Sequence, residues 1–377
     1  MNKLTDKVGI AVIGCGYWGV NYVRVFHELP GAQVVAICDG RSERLQEMGK
    51  RFPHARQTTD VAELLQWPGI DAVVICTGAT THFAVAQRCL QAGKHVLVEK
   101  PMATTVADAR QLVACAKAQR VTLMVGHTFL YNAGIRKVKE YMQRADMGQI
   151  YYLYARRTNL GPIRQDVNAL WDLAPHDVSI FNYLLDQRPR WVSAVGAHVL
   201  QNCREDVGFI SLGYANETIG NIHVSWAEPN KVRELVVVGS SKRIVFDDLN
   251  AVERVKIYEK GVTPTAREAS TYGEYQFQIR DGDIFSPSVA VSEPLKEQCN
   301  HFLECVTQGL RPLTDGQAGV AVVQVLQAIE QSVAQHGAPV TIEPLTIEPE
   351  VSSAGNGFHM QGNRSLLFVN NASLVSA

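Results

Sequence analysis

From residue 8 to about 127 the chain alternates between short apolar runs and amphipathic stretches. Val8–Ile13, Gln33–Cys38, Ala72–Thr77, His95–Glu99 and Val121–Val125 are the apolar runs, and they read as strands. Between them, a helix follows the first run through Phe26. Ser42 is placed to cap a second helix, with Leu45 and Met48 on its inner face. His82–Ala92, closed by Gly93, and Val106–Gln119 predict two more. Strands that are apolar throughout and separated by helices predict a parallel sheet covered on both faces. Residues 1–127 are therefore expected to form a doubly wound α/β domain.

The pattern changes after Gly126. A helix over Ile135–Gln143 leads to Ile150–Arg157, a strand with polar and aromatic alternation, and a further helix runs to about Leu185. Trp191–Ala197, Val207–Tyr214, Thr218–Trp226, Arg233–Val238, Lys242–Phe246 and Val252–Tyr258 then follow with little helix between them. Successive strands joined by tight turns predict a large, mostly antiparallel open sheet. Val262–Asp283 is polar and poor in strand signal, so it reads as a long loop. Two helices, about Glu293–Thr307 and Asp315–Gln335, close the segment. The expected fold class is α/β plus α+β. The expected division is 1–127, then 128–345, then a mobile tail over 346–377 rich in Ser, Asn and Gly.

Composition narrows the function classes. The 377 residues suffice for about two domains of ~150 residues each. A formal net charge of −1 leaves no electrostatic footprint for nucleic acid or an anionic membrane, so neither is an expected partner. No apolar run is long enough to span a bilayer, and the polar start lacks the form of a signal peptide. None of the eight cysteines forms a C-x-x-C pair, and Cys38 and Cys76 lie inside apolar runs. That pattern reads as buried free thiols in a reducing compartment, with the cytoplasm as the expected location and no metal site.

Gly14-Cys15-Gly16-Tyr17-Trp18-Gly19 fits G-x-G-x-x-G. Alone the pattern is weak. Here it follows a strand and opens a helix, and an acid, Asp39, ends the second strand. That context predicts a Rossmann dinucleotide site. Gly14 permits the tight turn, Gly16 lets the backbone approach a pyrophosphate, and Gly19 lets helix and strand pack closely. Tyr17 and Trp18 fall within the same contact set. Asp39 suits both adenosine ribose hydroxyls and repels a 2′-phosphate, which favours NAD over NADP. Arg41 and Arg44 offer the opposite reading, pairing with such a phosphate, or stand on a solvated face. At the carboxyl end of the third strand, Thr77 and His82 either line the cofactor or belong to a helix start capped by Thr81.

Two clusters carry candidate chemistry. Glu99-Lys100-Pro101 ends the fourth strand at the same sheet edge. A lysine there can donate to a hydroxyl or carbonyl oxygen and stabilise negative charge developing on it, and Pro101 stiffens the turn. Trp171-Asp172-Leu173-Ala174-Pro175-His176-Asp177 puts Asp172 and His176 one helical turn apart on one face. A neutral histidine suits proton transfer to or from an alcohol. Asp172 could hold the imidazole, bind a neighbouring substrate hydroxyl, or act as the N-cap with Pro175 in the first turn. Asp177 falls on another face and reads as structural.

Together these residues resemble the Gfo/Idh/MocA oxidoreductase family, over about residues 7–345. The glycine motif, the Glu99-Lys100-Pro101 step and Asp172-x-x-x-His176 carry the resemblance. It implies that Lys100 lies near the reacting carbon, that His176 carries the proton with Asp172 beside it, and that Glu99 contacts the nicotinamide ribose. It further implies a homodimer or homotetramer formed through the second sheet. Gly126–Asn132 and Asn159–Trp171 are similar to members encoded with nucleotide-sugar pathways, some of which oxidise C3 of a UDP-linked N-acetylated glucuronic acid. The substrate residues implied are Phe129, Tyr131, Asn159, Arg164 and Trp171. Arg156, Arg157 and Arg164 are candidates for meeting a diphosphate or carboxylate. The expected function is hydride transfer to or from a secondary alcohol carbon of a sugar or nucleotide sugar. A free-sugar or cyclitol dehydrogenase and a non-catalytic dinucleotide sensor are the alternatives.

Overall fold

Six short strands form a parallel sheet whose central strands are buried on both faces: β1 (Val8–Ile13), β2 (Ala32–Cys38), the edge strand β3 (Arg56–Thr58), β4 (Ala72–Ile75), β5 (His95–Glu99) and β6 (Leu123–Gly126). Their order is β3-β2-β1-β4-β5-β6. Five helices connect them: α1 (Tyr17–Glu28), α2 (Ser42–Arg51), α3 (Val61–Leu65), α4 (His82–Gln91) and α5 (Val106–Gln119). Strand order reverses between β1 and β4, which opens a crevice at the carboxyl edge where parallel α/β sheets bind ligands. The structure is a computed structural model that describes residues 7–344 apart from 162, 201–202 and 265–276. The expected mobile tail lies outside the described residues.

The second sheet has nine strands. After α6 (Ala133–Met142) come β7 (Ile150–Thr158), α7 (Ala169–Leu185), β8 (Trp191–Ala197), β9 (Val207–Gly213), β10 (Ile219–Ser225), β11 (Val232–Gly239), β12 (Arg243–Asp247) and β13 (Val255–Tyr258). A hairpin pair, β14 (Gly261–Pro264) and β15 (Phe277–Arg280), stands apart from this sheet, and β16 (Ile284–Phe285) returns to it. Helices α8 (Pro294–Gln308) and α9 (Gly316–Ala334) precede β17 (Val340–Thr341). The order is β16-β13-β12-β11-β7-β10-β9-β8-β17, antiparallel except where β7 meets β10. One face buries Leu153, Ala155, Ile210, Ile222 and Leu235 beneath α7, whereas Tyr152, Val195, Phe209 and Ile219 on the other face are exposed.

The two sheets share α9, which packs on α5 and β6 on one side and on β8 and α7 on the other. Just before it, Thr314 Oγ1 donates to Val125 O at 2.8 Å, and Val125 N donates to Thr314 O at 2.8 Å. The chain through Glu343 packs as one unit.

Several expectations need correction. The edge strand β3 and the short α3 were not expected. β3 is Arg-Gln-Thr with only Thr58 buried, so no apolar run announces it. Ser42 is not a cap: Arg41 occupies that position without a side-chain bond. The third expected strand stops at Ile75, since Ala79–Thr81 is already a 3-10 turn. The polar stretch 262–283 contains β15 and part of β14, whose partners supply the pairing that its own composition does not advertise. Asp172 is not the N-cap of α7. Asn168 is, accepting from Trp171 N at 2.9 Å, so the helix begins a turn earlier and Pro175 lies in its interior.

Candidate active site

The nucleotide end is built from the turn between β1 and α1. Gly14 has φ +89°, and a Cβ there would lie 2.7 Å from the Cys76 carbonyl. A Cβ on Gly19 would lie 1.8 Å from Gly14 O, so only glycine lets α1 approach this closely. A Cβ on Gly16 would meet nothing within 4 Å. Gly16 also begins α1 with no side-chain cap, leaving the helix N–H groups free for an anion. The cleft there holds about 550 Å³ and is lined by Gly14, Gly16, Asp39, Cys76 and Thr77, with Arg164 and Asp166 at its rim. Free N–H groups, an open glycine and an acid at the end of β2 fit a dinucleotide.

Asp39 is nearly sealed. Its Oδ2 accepts from Cys15 N at 2.7 Å, and Arg41 forks onto both oxygens at 2.9 and 3.0 Å. Burial alone would raise its pKa, but the bonds from Arg41 and Cys15 N hold it below the ordinary range. Arg41 and Arg44 are therefore not merely solvated, since Arg44 Nε donates to Cys15 O at 2.6 Å. Tyr17 and Trp18 stand exposed at the start of α1, edge to face at 5.6 Å, and neither lines the cleft. His82 turns inward instead of towards a ligand. Its Nδ1 lies 2.7 Å from Pro101 O and its Nε2 3.1 Å from Thr77 O, so it joins two loops at the sheet edge. Glu99 is also turned into the core. Tyr22 donates to its Oε1 at 2.7 Å, Lys100 N to its Oε2 at 3.1 Å, and Gln298 to the Tyr22 hydroxyl at 2.7 Å. Burial raises its pKa against those bonds.

Lys100 follows at the end of β5, 7% exposed, with a cis bond to Pro101. Its ammonium donates to Asp172 Oδ1 at 3.0 Å and to Asp172 O at 2.8 Å, across 72 residues of sequence. Asp172 also accepts from Arg164 at 3.0 Å and Trp226 Nε1 at 3.3 Å. Burial would raise its pKa, but Lys100 and Arg164 outweigh that and lower it. One turn along α7, His176 packs edge-on to Phe129 at 5.0 Å, and its Nδ1 has no protein partner. Asp172 and His176 share a face, yet the carboxylate serves Lys100 and not the imidazole. Burial, then the positive charges of Lys100 and Arg157, push the His176 pKa well below the usual value. A neutral imidazole and an ammonium tethered to a carboxylate can together hold one hydroxyl and take its proton.

The remaining candidates separate. Asp177 pairs with Arg157 at 2.7 and 2.8 Å, both buried. Arg164 is held by Asp166 and Asp172, and Arg156 is exposed beside Glu234. Tyr131 is not brought to His176. It is sealed, and its hydroxyl meets Thr314 Oγ1 at 3.4 Å. Trp171 is buried and lines a neighbouring hollow with Asn168 and Glu205. Asn159 accepts from Arg233 through Oδ1.

Three residues were missed. Asp166 accepts from Ala79 N at 2.8 Å and so ties Arg164 to the cofactor crevice. Arg233 is a cation on a strand, a position that reads as surface. His127 follows β6, whose Gly126 pairs with Glu99, and is therefore a neighbour of Lys100. It is 1% exposed, and neither ring nitrogen bonds to protein. Burial and Lys100 lower its pKa to about 3. The only sequence signal for His127 is its place at a strand end on the ligand edge.

A doubly wound sheet with a glycine cradle, joined to a lysine–aspartate pair and a buried imidazole, defines an NAD-dependent dehydrogenase acting on CH–OH groups. The chain belongs to the Gfo/Idh/MocA oxidoreductases: residues 8–127 match "Oxidoreductase family, NAD-binding Rossmann fold", and residues 135–245 match the C-terminal domain of that family. It is 27% identical over 363 residues to D-apiose dehydrogenase of Paraburkholderia graminis, covering 92% of this chain and 93% of the relative. It is 27% identical over 326 residues to UDP-N-acetylglucosamine 3-dehydrogenase of Acidithiobacillus ferrooxidans, covering 85% and 96%. The crystal structure of GenD2 from gentamicin A biosynthesis in complex with NAD is similar at TM-score 0.76 and 25% identity, over 91% of this chain and 98% of that one.

Proposed function

We propose that this protein transfers a hydride to or from a secondary alcohol carbon of a nucleotide-linked sugar, with C3 the favoured position. The meeting of Lys100, Asp172 and His176 at the cofactor edge carries this reading. Bound NAD supplies the hydride acceptor. His176 takes the hydroxyl proton in the oxidative direction, and its neutral state makes it available as a base. Lys100 donates to the same oxygen and stabilises the charge that develops there. Asp172 holds the ammonium in place. The likeness to UDP-N-acetylglucosamine 3-dehydrogenase favours the nucleotide sugar and C3; the likeness to D-apiose dehydrogenase favours a free sugar, the second reading. The exposed Tyr152, Phe209 and Ile219 support a homodimer or homotetramer through the open sheet, and eight unpaired cysteines suit the cytoplasm. We further read 1–127 as the NAD-binding domain and 128–345 as the substrate and oligomerisation domain.

The test is a panel of UDP-N-acetylglucosamine, its uronic acid, D-apiose and myo-inositol, each titrated with NAD while absorbance of reduced nicotinamide is followed. Higher kcat/KM for the UDP-linked members is expected. Preference for a free sugar would reverse the substrate assignment, and no turnover with any would end the enzymatic reading.

A further inference from the structure

Arg233 differs from the other cations around His176. Lys100 is paired with Asp172, Arg157 with Asp177, and Arg164 with both Asp166 and Asp172. Arg233 has no carboxylate within 4.0 Å among the described residues. Its Nη1 donates to Thr158 O at 2.9 Å and Val232 O at 2.8 Å, and its Nη2 to Asn159 Oδ1. All of these acceptors are neutral. Among the described residues its Nε has no hydrogen-bond acceptor, and the side chain is only partly buried.

The strand register fixes where this cation sits. Arg233 of β11 pairs directly with Arg157 of β7, so both side chains leave the sheet on the face that α7 covers. Arg157 lies over Phe129 at 4.2 Å, and Phe129 lies 5.0 Å from His176. Arg233 is thus one strand, about 4.8 Å, beyond a residue already in this cluster. Desolvation and the like charge of Arg157 lower its pKa to about 10. A partly desolvated cation with a like-charged neighbour and no carboxylate in direct contact is costly to keep. Asp177, Asp248 and Asp172 offset part of this cost from a distance; Asp172 and Asp177 hold the pairs above, and Asp248 accepts from Asn132 at 2.8 Å.

We propose that Arg233 is a specificity-determining residue that receives an anionic substituent, a carboxylate carried on the sugar ring, with Asn159 orienting the guanidinium. The inference rests on the sugar-dehydrogenase reading and deepens it, from sugars in general to acidic sugars. The position favours the ring and not a remote diphosphate, because Arg233 lies within a ring's reach of the cluster that holds His176.

The experiment measures equilibrium binding to the NAD-loaded full chain by calorimetry, with glucuronate against glucose and UDP-glucuronate against UDP-glucose. Glucose 6-phosphate serves as a phosphate control. Wild type should bind each acid about tenfold or more tightly than its neutral congener, as a charge-assisted bond allows. Arg233→Met should erase that ratio and leave the neutral affinity and NAD affinity unchanged, while Arg233→Lys should retain part of it. Equal binding of acid and neutral congener by wild type, or an equal loss for both in Arg233→Met, overturns the proposal. So does binding of neither acid, or tighter binding of glucose 6-phosphate than of glucuronate. Failure of the enzymatic reading would show separately, as absence of nicotinamide reduction by any sugar even where an acid binds.

Discussion

His176 and His127 are both held neutral by burial beside Lys100, and each makes its own measurable demand. If His176 moves the proton, His176→Ala should lower kcat/KM by about 10²- to 10⁴-fold and leave the NAD dissociation constant unchanged. The acid limb of the kcat/KM profile should then lie below pH 6.5, because the native imidazole resists protonation. Stability should follow the same sign. Below pH 6.5 the unfolded chain binds a proton at each of these histidines, while the native chain refuses it until about pH 3 at His127. Stability is therefore full above pH 6.5 and falls by about 1.4 kcal/mol per pH unit for each such histidine as acid is added. Urea unfolding at pH 7 and pH 5 should show His127→Gln losing roughly 2 kcal/mol less than wild type over that interval. An identical loss in both proteins would mean that His127 is charged or wet in the native state. The pair Arg157–Asp177 answers to a different rule. Asp177→Ala leaves a buried guanidinium alone and should cost about 3–5 kcal/mol in the same assay.

At the scale of elements, α7 shows both what periodicity can reveal and where it stops. Asn168, Asp172 and His176 follow at one-turn spacing, so one helix face carries its own cap, the lysine's counter-ion and the imidazole. The shared face of Asp172 and His176 was legible because helical geometry fixes it. The helix start was not, because the interior Pro175 imitates a first-turn proline and drew the cap forward to Asp172. Replacing the true cap, Asn168→Ala, should cost about 1 kcal/mol. The urea midpoint of this variant at pH 7 tests that assignment. The three-residue β3 was illegible for another reason: an edge strand with one buried side chain needs no apolar run. The glycine turn reads most directly, since its constraints are local. Gly19→Ala would put a methyl group 1.8 Å from Gly14 O, so NAD binding should be lost while the distant second sheet keeps its far-ultraviolet signature.

Across the whole molecule, residues distant in sequence were recognised only where a short motif marked them. Lys100 and Asp172 lie 72 positions apart; each was singled out from its own neighbours, and the fold brings them into contact. Asp166 and Arg233 were not singled out, because what matters about them is which partner they have or lack, and partners distant in sequence leave no local pattern. Tyr131 shows the reverse error: its neighbour Phe129 reaches His176, while the 3-10 turn sends Tyr131 into the core. The open face of the nine-stranded sheet makes a further demand. If it is the subunit contact, Phe209→Lys combined with Ile219→Lys should shift sedimentation towards the monomer without loss of helical signal.

The α9 clasp also bears on synthesis. The first sheet is encoded by residues 8–126, yet β6 takes hydrogen bonds from Thr314 and is covered by a helix that begins at Gly316. As the polypeptide leaves the ribosome from its amino end, the early strands emerge long before their last covering piece. The nucleotide half must wait, with an apolar flank bare, until most of the message has been read. A nascent chain arrested near residue 300 should therefore engage chaperones more strongly than one arrested past residue 345.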